Sequence, residues 1–178
     1  MKKFLNVVVA TLIIGCGTGV VNAAEKEILV GGGKTIVNSF DDPTSPNGKI
    51  EFRLPISDTT TGSISFINEG HPKDFPKRDG IAFQALWKLP FNLIEGRLAF
   101  NLGIGPYVFC ATERSDTGFV DTHGVAALGL FETHYRFKNS PWTTSLMIHR
   151  VAAPRSRITR NGTDTDLVML AVGRTFGN

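Results

Sequence analysis

From Ile94 onward, apolar and polar residues change places at every step. The even positions read Ile94, Gly96, Leu98, Phe100, Leu102, Ile104, Pro106, Val108 and Cys110, and the odd ones read Glu95, Arg97, Ala99, Asn101, Gly103, Gly105, Tyr107 and Phe109. A period of two is that of a strand with one apolar face. The run is also long for a strand of a soluble protein, which typically has about five or six residues. The same split recurs along the chain. Ile50, Phe52, Leu54 and Ile56 alternate with Lys49, Glu51 and Arg53, and Ile81, Phe83, Ala85 and Trp87 alternate with Ala82, Gln84, Leu86 and Lys88. Trp142, Thr144, Leu146 and Ile148 alternate with Thr143, Ser145, Met147 and His149, and Val168, Leu170 and Val172 alternate with Leu167, Met169 and Ala171. Eight such segments are predicted, at 27–40, 48–56, 62–68, 79–91, 93–111, 122–138, 141–152 and 163–176. None carries a sustained i, i+3, i+4 apolar stripe, so almost no helix is expected among them.

The first residues follow a different pattern. Met1-Lys2-Lys3 is cationic, Phe4 to Ile14 is apolar apart from Asn6 and Thr11, and Val21-Asn22-Ala23 offers small residues where a signal peptidase reads. This predicts a signal peptide over 1–23 and an exported domain over 24–178. A rival reading takes Ile13-Ile14-Gly15-Cys16 as a lipobox, with Cys16 acylated. The apolar run is too short to cross a bilayer as a retained helix, which needs about 20 residues.

The connections between segments set the architecture. Those at 58–62, 90–92 and 139–140 are tight, whereas those at 41–47, 69–78, 111–121 and 153–162 are longer and polar. Strict alternation of short and long connections between an even number of strands is the pattern of an outer-membrane barrel, with short periplasmic turns and long external loops. The expected fold is therefore all-β, an eight-stranded antiparallel up-and-down transmembrane β-barrel of a Gram-negative outer membrane. In lipid every backbone N–H must find a partner within the protein, and strands achieve this only in a closed barrel. The apolar faces, Cys110 among them, would meet lipid. The other faces, rich in Gly, Ala, Ser and Thr, would fill a narrow lumen. An exported soluble ligand-binding barrel would reverse the two faces.

Composition narrows the function further. The chain has 178 residues, 42% hydrophobic, with 19 Lys plus Arg against 16 Asp plus Glu. That excludes disorder. Without Lys2 and Lys3 the charge falls from +3 to +1, and no basic run is long enough to suggest a nucleic-acid partner. Two cysteines exclude a disulfide scaffold, and Cys110 is the only one outside the signal segment.

Residues able to do chemistry gather at the loop ends of the strands. Asn68, Glu69, His71, Arg78, Asp79, Gln84, Asp121 and His123 are expected to form a polar cluster at the rim and in the lumen, as salt-bridged filling. Glu132, His134 and Arg136 share one face of the sixth segment and read as lumen packing. No short-range ligand spacing supports a metal site, and no cofactor motif is present. Lys73, Lys77, Arg155, Arg157 and Arg160 lie in the long loops, where they could contact lipopolysaccharide phosphates. Tyr107, Phe109, Tyr135, Phe137 and Trp142 suit the aromatic belts of a membrane interface.

The stretch Ile148-His149-Arg150-Val151, followed by Asn161-Gly162 and by Asp164 to Phe176, resembles the end of lipid A 3-O-deacylase barrels. The resemblance covers the C-terminal third, from Gly124 to Phe176. It implies an eight-stranded outer-membrane barrel in which His149, with Asp164 or Asp166, stands where that family carries the histidine and acid of a hydrolytic triad. The position of the family's serine nucleophile is held by Val151, which cannot attack an ester. The expected function is a small, monomeric, non-catalytic outer-membrane barrel with a structural or loop-displaying role, its partners being outer-membrane lipid and lipopolysaccharide phosphates. The alternatives are a lipid A deacylase-like hydrolase with an altered nucleophile and the soluble ligand-binding barrel.

Overall fold

A computed structural model describes residues 25–38, 43–72, 77–91, 93–115, 118–152 and 164–177. The expected signal segment, the Cys16 lipobox and the loop residues Lys73, Arg155, Arg157 and Arg160 lie outside the described residues. So do the side chains of 113–122, Asp121 among them.

Eight strands follow one another: β1 Lys26–Val37, β2 Thr44–Pro55, β3 Thr60–Asn68, β4 Lys77–Lys88, β5 Leu98–Ser115, β6 Gly118–Arg136, β7 Trp142–Ala152 and β8 Thr165–Phe176. Each pairs antiparallel with its sequence neighbours, and β1 pairs with β8 from Lys26↔Phe176 to Val37↔Thr165, closing the barrel. No strand edge is left to seek a partner. Among the described residues all regular structure is strand. One end of the barrel carries the β2–β3, β4–β5 and β6–β7 turns, and is called the turn end. The other carries the remaining loops, and is called the loop end.

The two faces of the wall have opposite character. Ile28, Val30, Ile50, Ile64, Phe66, Ile104, Leu146 and Val172 all point outward and are exposed, Leu170 to 63% and Ile104 to 57%. Lys49, Glu51, Arg53, Glu69, Arg78, Glu132 and His149 point inward and are buried, Glu51 and Glu132 completely. A soluble barrel has the reverse arrangement. Cys110 is on the outward face, as the parity of β5 requires.

Three expectations are corrected. Connection lengths do not alternate strictly: the β4–β5 turn spans 89–97, whereas β5 and β6 run on to Ser115↔Gly118 and are joined by 116–117 alone. The polar stretch at 111–121 is thus mostly paired strand. Strand β5 begins at Leu98 rather than at 93. Ile94, Glu95 and Gly96 are successive left-handed residues, with φ of 52°, 57° and 78°, and the Arg97 amide donates to the Ile94 carbonyl. Their apolar parity continued that of the strand only by coincidence, across a turn that a β-branched residue rarely enters. Finally, the lumen is not lined mainly by small residues. It carries a charged network.

Candidate functional site

Inward positions of β2 place Lys49, Glu51 and Arg53 in one row, because residues i, i+2 and i+4 of a strand share a face. Arg53 reaches Glu132 at 2.9 Å, Glu51 at 3.1 Å and Glu27 at 3.5 Å. Lys49 Nζ lies 2.9 Å from Glu51. Asn101 Nδ2 donates to Glu132 at 2.8 Å, and the Thr143 hydroxyl donates to Glu27. His134 completes the group, with Nδ1 at 2.9 Å from Ser145 Oγ and Nε2 at 3.7 Å from Glu27. A guanidinium with a fixed fork suits several carboxylates at once better than an ammonium does. Gly173 makes room for this: a Cβ there would stand 2.9 Å from Glu27 Oε1 and would also strike Thr143 Oγ1. Gly173→Val is therefore expected to displace Glu27 and lower the urea midpoint of the folded barrel by more than Val172→Ala, a control at its outward neighbour.

Below this network, at the turn end, opens a polar cup of about 250 Å³ lined by Lys88, Arg97, Arg136 and Asp58, with Arg53 and Glu27 also contributing. Above it apolar side chains share the lumen with the buried His149 and Thr35. On β6, Leu128 and Leu130 precede Glu132, and on β8, Leu167, Met169 and Ala171 separate Thr165 from Gly173; all five apolar residues are buried. Tyr107, Met147 and Val151 pack into the same core.

A second ionic group closes the loop end. Arg78 Nη2 donates to Glu69 Oε2 at 2.7 Å and to Thr165 Oγ1 at 2.9 Å, and the Thr165 hydroxyl donates to Glu69 at 2.8 Å. Ser45 Oγ donates to the Glu69 carbonyl at 2.9 Å, and the guanidinium lies 5.5 Å from the centre of the Phe109 ring. Removing one partner of a buried pair strands the other's charge, at a cost on the order of 3–5 kcal/mol. Arg78→Ala is expected to lower stability by more than the double change Arg78→Met with Glu69→Leu, in an unfolding series on the refolded barrel.

The structure divides the residues singled out in the sequence. Glu69, Arg78 and Gln84 point inward and are buried. Asn68 and Asp79 stand on the outer face. Asn68 caps the Gly70 amide at 2.8 Å, and Asp79 pairs with Lys77 at 3.0 Å. His123 also lies outside, with Nδ1 at 3.1 Å from Cys110 Sγ, and His71 is exposed beyond β3. The lumen pairing expected of Asp79 and His123 is thus replaced by the Glu69–Arg78–Thr165 contact. Of the expected belt aromatics, Tyr135, Phe137 and Trp142 are on the outer wall near the turn end. Tyr107 is fully buried inside, its ring centre 5.6 Å from that of Phe109 and tilted to it by 32°.

The triad suggested by resemblance is not assembled. His149 is fully buried and its Nε2 lies 3.2 Å from Lys49 Nζ. An ammonium has only donors, so this nitrogen accepts. Asp164 and Asp166 lie across the wall, where Arg150 holds them at 3.1 and 3.0 Å. Asn38 Nδ2 also reaches Asp166, at 3.2 Å. Val151 is buried in the core. Among the described residues no group of three or more His, Cys, Asp or Glu is placed to hold a metal ion.

The architecture is shared with solved outer-membrane barrels. Neisserial surface protein A superposes with a TM-score of 0.67 at 9% identity, over 87% of this chain and 99% of that one. The N-terminal β-barrel domain of Pseudomonas aeruginosa OprF gives 0.64 at 12% identity, over 85% and 97%. Ail, the attachment invasion locus protein of Yersinia pestis, gives 0.56 at 11% identity, over 87% and 100%. At these identities the likeness is one of fold. No family model matches the sequence, and no curated protein matches it.

Proposed function

We propose that the chain is a small integral outer-membrane barrel whose interior is a structural filling, and whose role is to anchor in the envelope and present its loops. The observation that carries this is the inversion of the wall: apolar side chains are exposed outward on every strand, while ion pairs are buried inside. Only a lipid surrounding makes that distribution favourable, since burial of apolar surface stabilises by about 25 cal/mol per Å² whether protein or acyl chain covers it. Lys77 at the start of β4, with the loop residues Lys73, Arg155, Arg157 and Arg160, would face lipopolysaccharide phosphates above the outer leaflet, where charge-assisted hydrogen bonds are the strong ones. Alkaline carbonate extraction of envelopes tests the reading: the protein should stay with the membrane and migrate faster unheated than heated. Release as a soluble protein would reverse the faces.

An eight-stranded lumen has room for side chains and little more. The Arg53 and Arg78 groups occupy it at two levels, so planar bilayers holding the purified barrel are expected to show no stepwise conductance. A hydrolytic role for His149 gains no support from its burial beside Lys49. His149→Gln is expected to leave the acyl composition of the envelope lipids unchanged.

A further inference from the structure

We propose that the outer wall carries a chemistry of its own: Cys110 and His123 form a thiol–imidazole pair that takes the acyl group of an ester lipid. The proposal goes beyond the structural role above and rests on the reading that this face meets lipid. The two residues are directly opposed in the β5–β6 ladder, and His123 Nδ1 lies 3.1 Å from Cys110 Sγ, within hydrogen-bond reach. Both side chains are exposed on the outward face. A thiol within hydrogen-bond reach of a base is the arrangement a nucleophile needs.

What surrounds the pair names the substrate. Down the same face toward the turn end come the opposed pairs Val108↔Val125, Pro106↔Ala127 and Ile104↔Gly129. Small residues there, with Ala152 of β7, leave a furrow of about 600 Å³ between the bulkier Ile104 and Val125. The furrow is continuous with the apolar girdle, so its occupant is an acyl chain. From Ile104 to Cys110 the strand rises roughly 20 Å at about 3.3 Å per residue, which suits a long chain. The pair stands where the girdle ends. On β4, Ile81 faces Val108, whereas Asp79 faces Cys110 and Lys77 faces Thr112. A lipid's ester carbonyls lie at this same boundary between hydrocarbon and headgroups.

In the step that follows, the Cys110 thiol passes its proton to His123 Nδ1. The thiolate adds to the ester carbonyl, the carbon–oxygen bond to the alcohol breaks, and the departing alkoxide takes the proton from the imidazolium. An acyl thioester remains on Cys110. A water molecule deprotonated by His123 then attacks the thioester. The carbon–sulfur bond breaks, the sulfur regains a proton, and a fatty acid leaves.

The test uses the barrel refolded in dodecyl maltoside micelles, its closure checked by heat-shifted mobility, and 4-nitrophenyl esters from butyrate to myristate as probes. The expected result is a burst of nitrophenol and a mass gain of one acyl group on Cys110, removed by neutral hydroxylamine. Cys110→Ala should abolish both. His123→Gln should slow acylation by about 10²-fold or more. Ala127→Phe, which fills the furrow, should slow the myristoyl ester more than the butyryl ester. A closed wild-type barrel that gains no acyl mass overturns the proposal, as does acylation that His123→Gln leaves at full rate. Failure of the wild-type chain to give a heat-shifted form would remove the lipid-facing wall, and the proposal with it.

Discussion

Arg53→Ala is expected to be the most damaging single substitution in the lumen. The guanidinium is shared by Glu27, Glu51 and Glu132, all buried, and Lys49 is held by Glu51 on the far side of the group. Without Arg53, three carboxylates would face one ammonium. The cost of breaking a buried pair is on the order of 3–5 kcal/mol, most of it from charge left without a partner. Urea unfolding of the refolded barrel, followed by loss of the fast-migrating form, should show a midpoint lowered by that scale or no folded form at all. A compensated variant separates charge from packing. Arg53→Met with Glu27→Gln and Glu132→Gln leaves the Lys49–Glu51 pair matched and should recover most of the loss. If Arg53→Ala costs less than 1 kcal/mol, the network is not what holds the lumen together.

Leu170→Arg is the second large effect, and it depends on the solvent of the wall. Leu170 lies on the outer face of β8, 63% exposed, between Val168 and Val172. At an exposed site on a soluble protein such a change is usually worth no more than about 0.5 kcal/mol in either direction. On the lipid face of a barrel, arginine costs about 2–4 kcal/mol near the bilayer midplane. Measured in phosphatidylcholine vesicles, the variant should unfold at lower urea by that amount.

The barrel was legible because period two is a local property. Each alternating run announces a strand by itself, and closure follows once every edge must be paired. The face of Cys110 and the inward placement of His149, Glu132 and His134 came from the same parity. What escaped was pairing across strands. Lys49, Glu51 and Arg53 show their shared face plainly, yet nothing local says that Glu27 and Glu132, on β1 and β6, close around them. Such contacts depend on the register and stagger of the whole barrel, which no single segment encodes. The turn at Ile94–Gly96 was hidden for the opposite reason: its apolar spacing matched the strand, and only Gly96 marked its left-handed backbone. Asp79 and His123 were drawn to the rim cluster by their chemistry, although their parity already put them outside beside Ile81 and Val125.

Tryptophan fluorescence offers the most direct test that the outer wall meets lipid. The chain has two tryptophans, Trp87 and Trp142, both exposed outward near the turn end. Refolded into vesicles of phosphatidylcholine brominated near the ester end of its acyl chains, the protein should lose most of its emission, and aqueous iodide should quench it weakly. Strong quenching by iodide with full emission in brominated lipid would contradict the account.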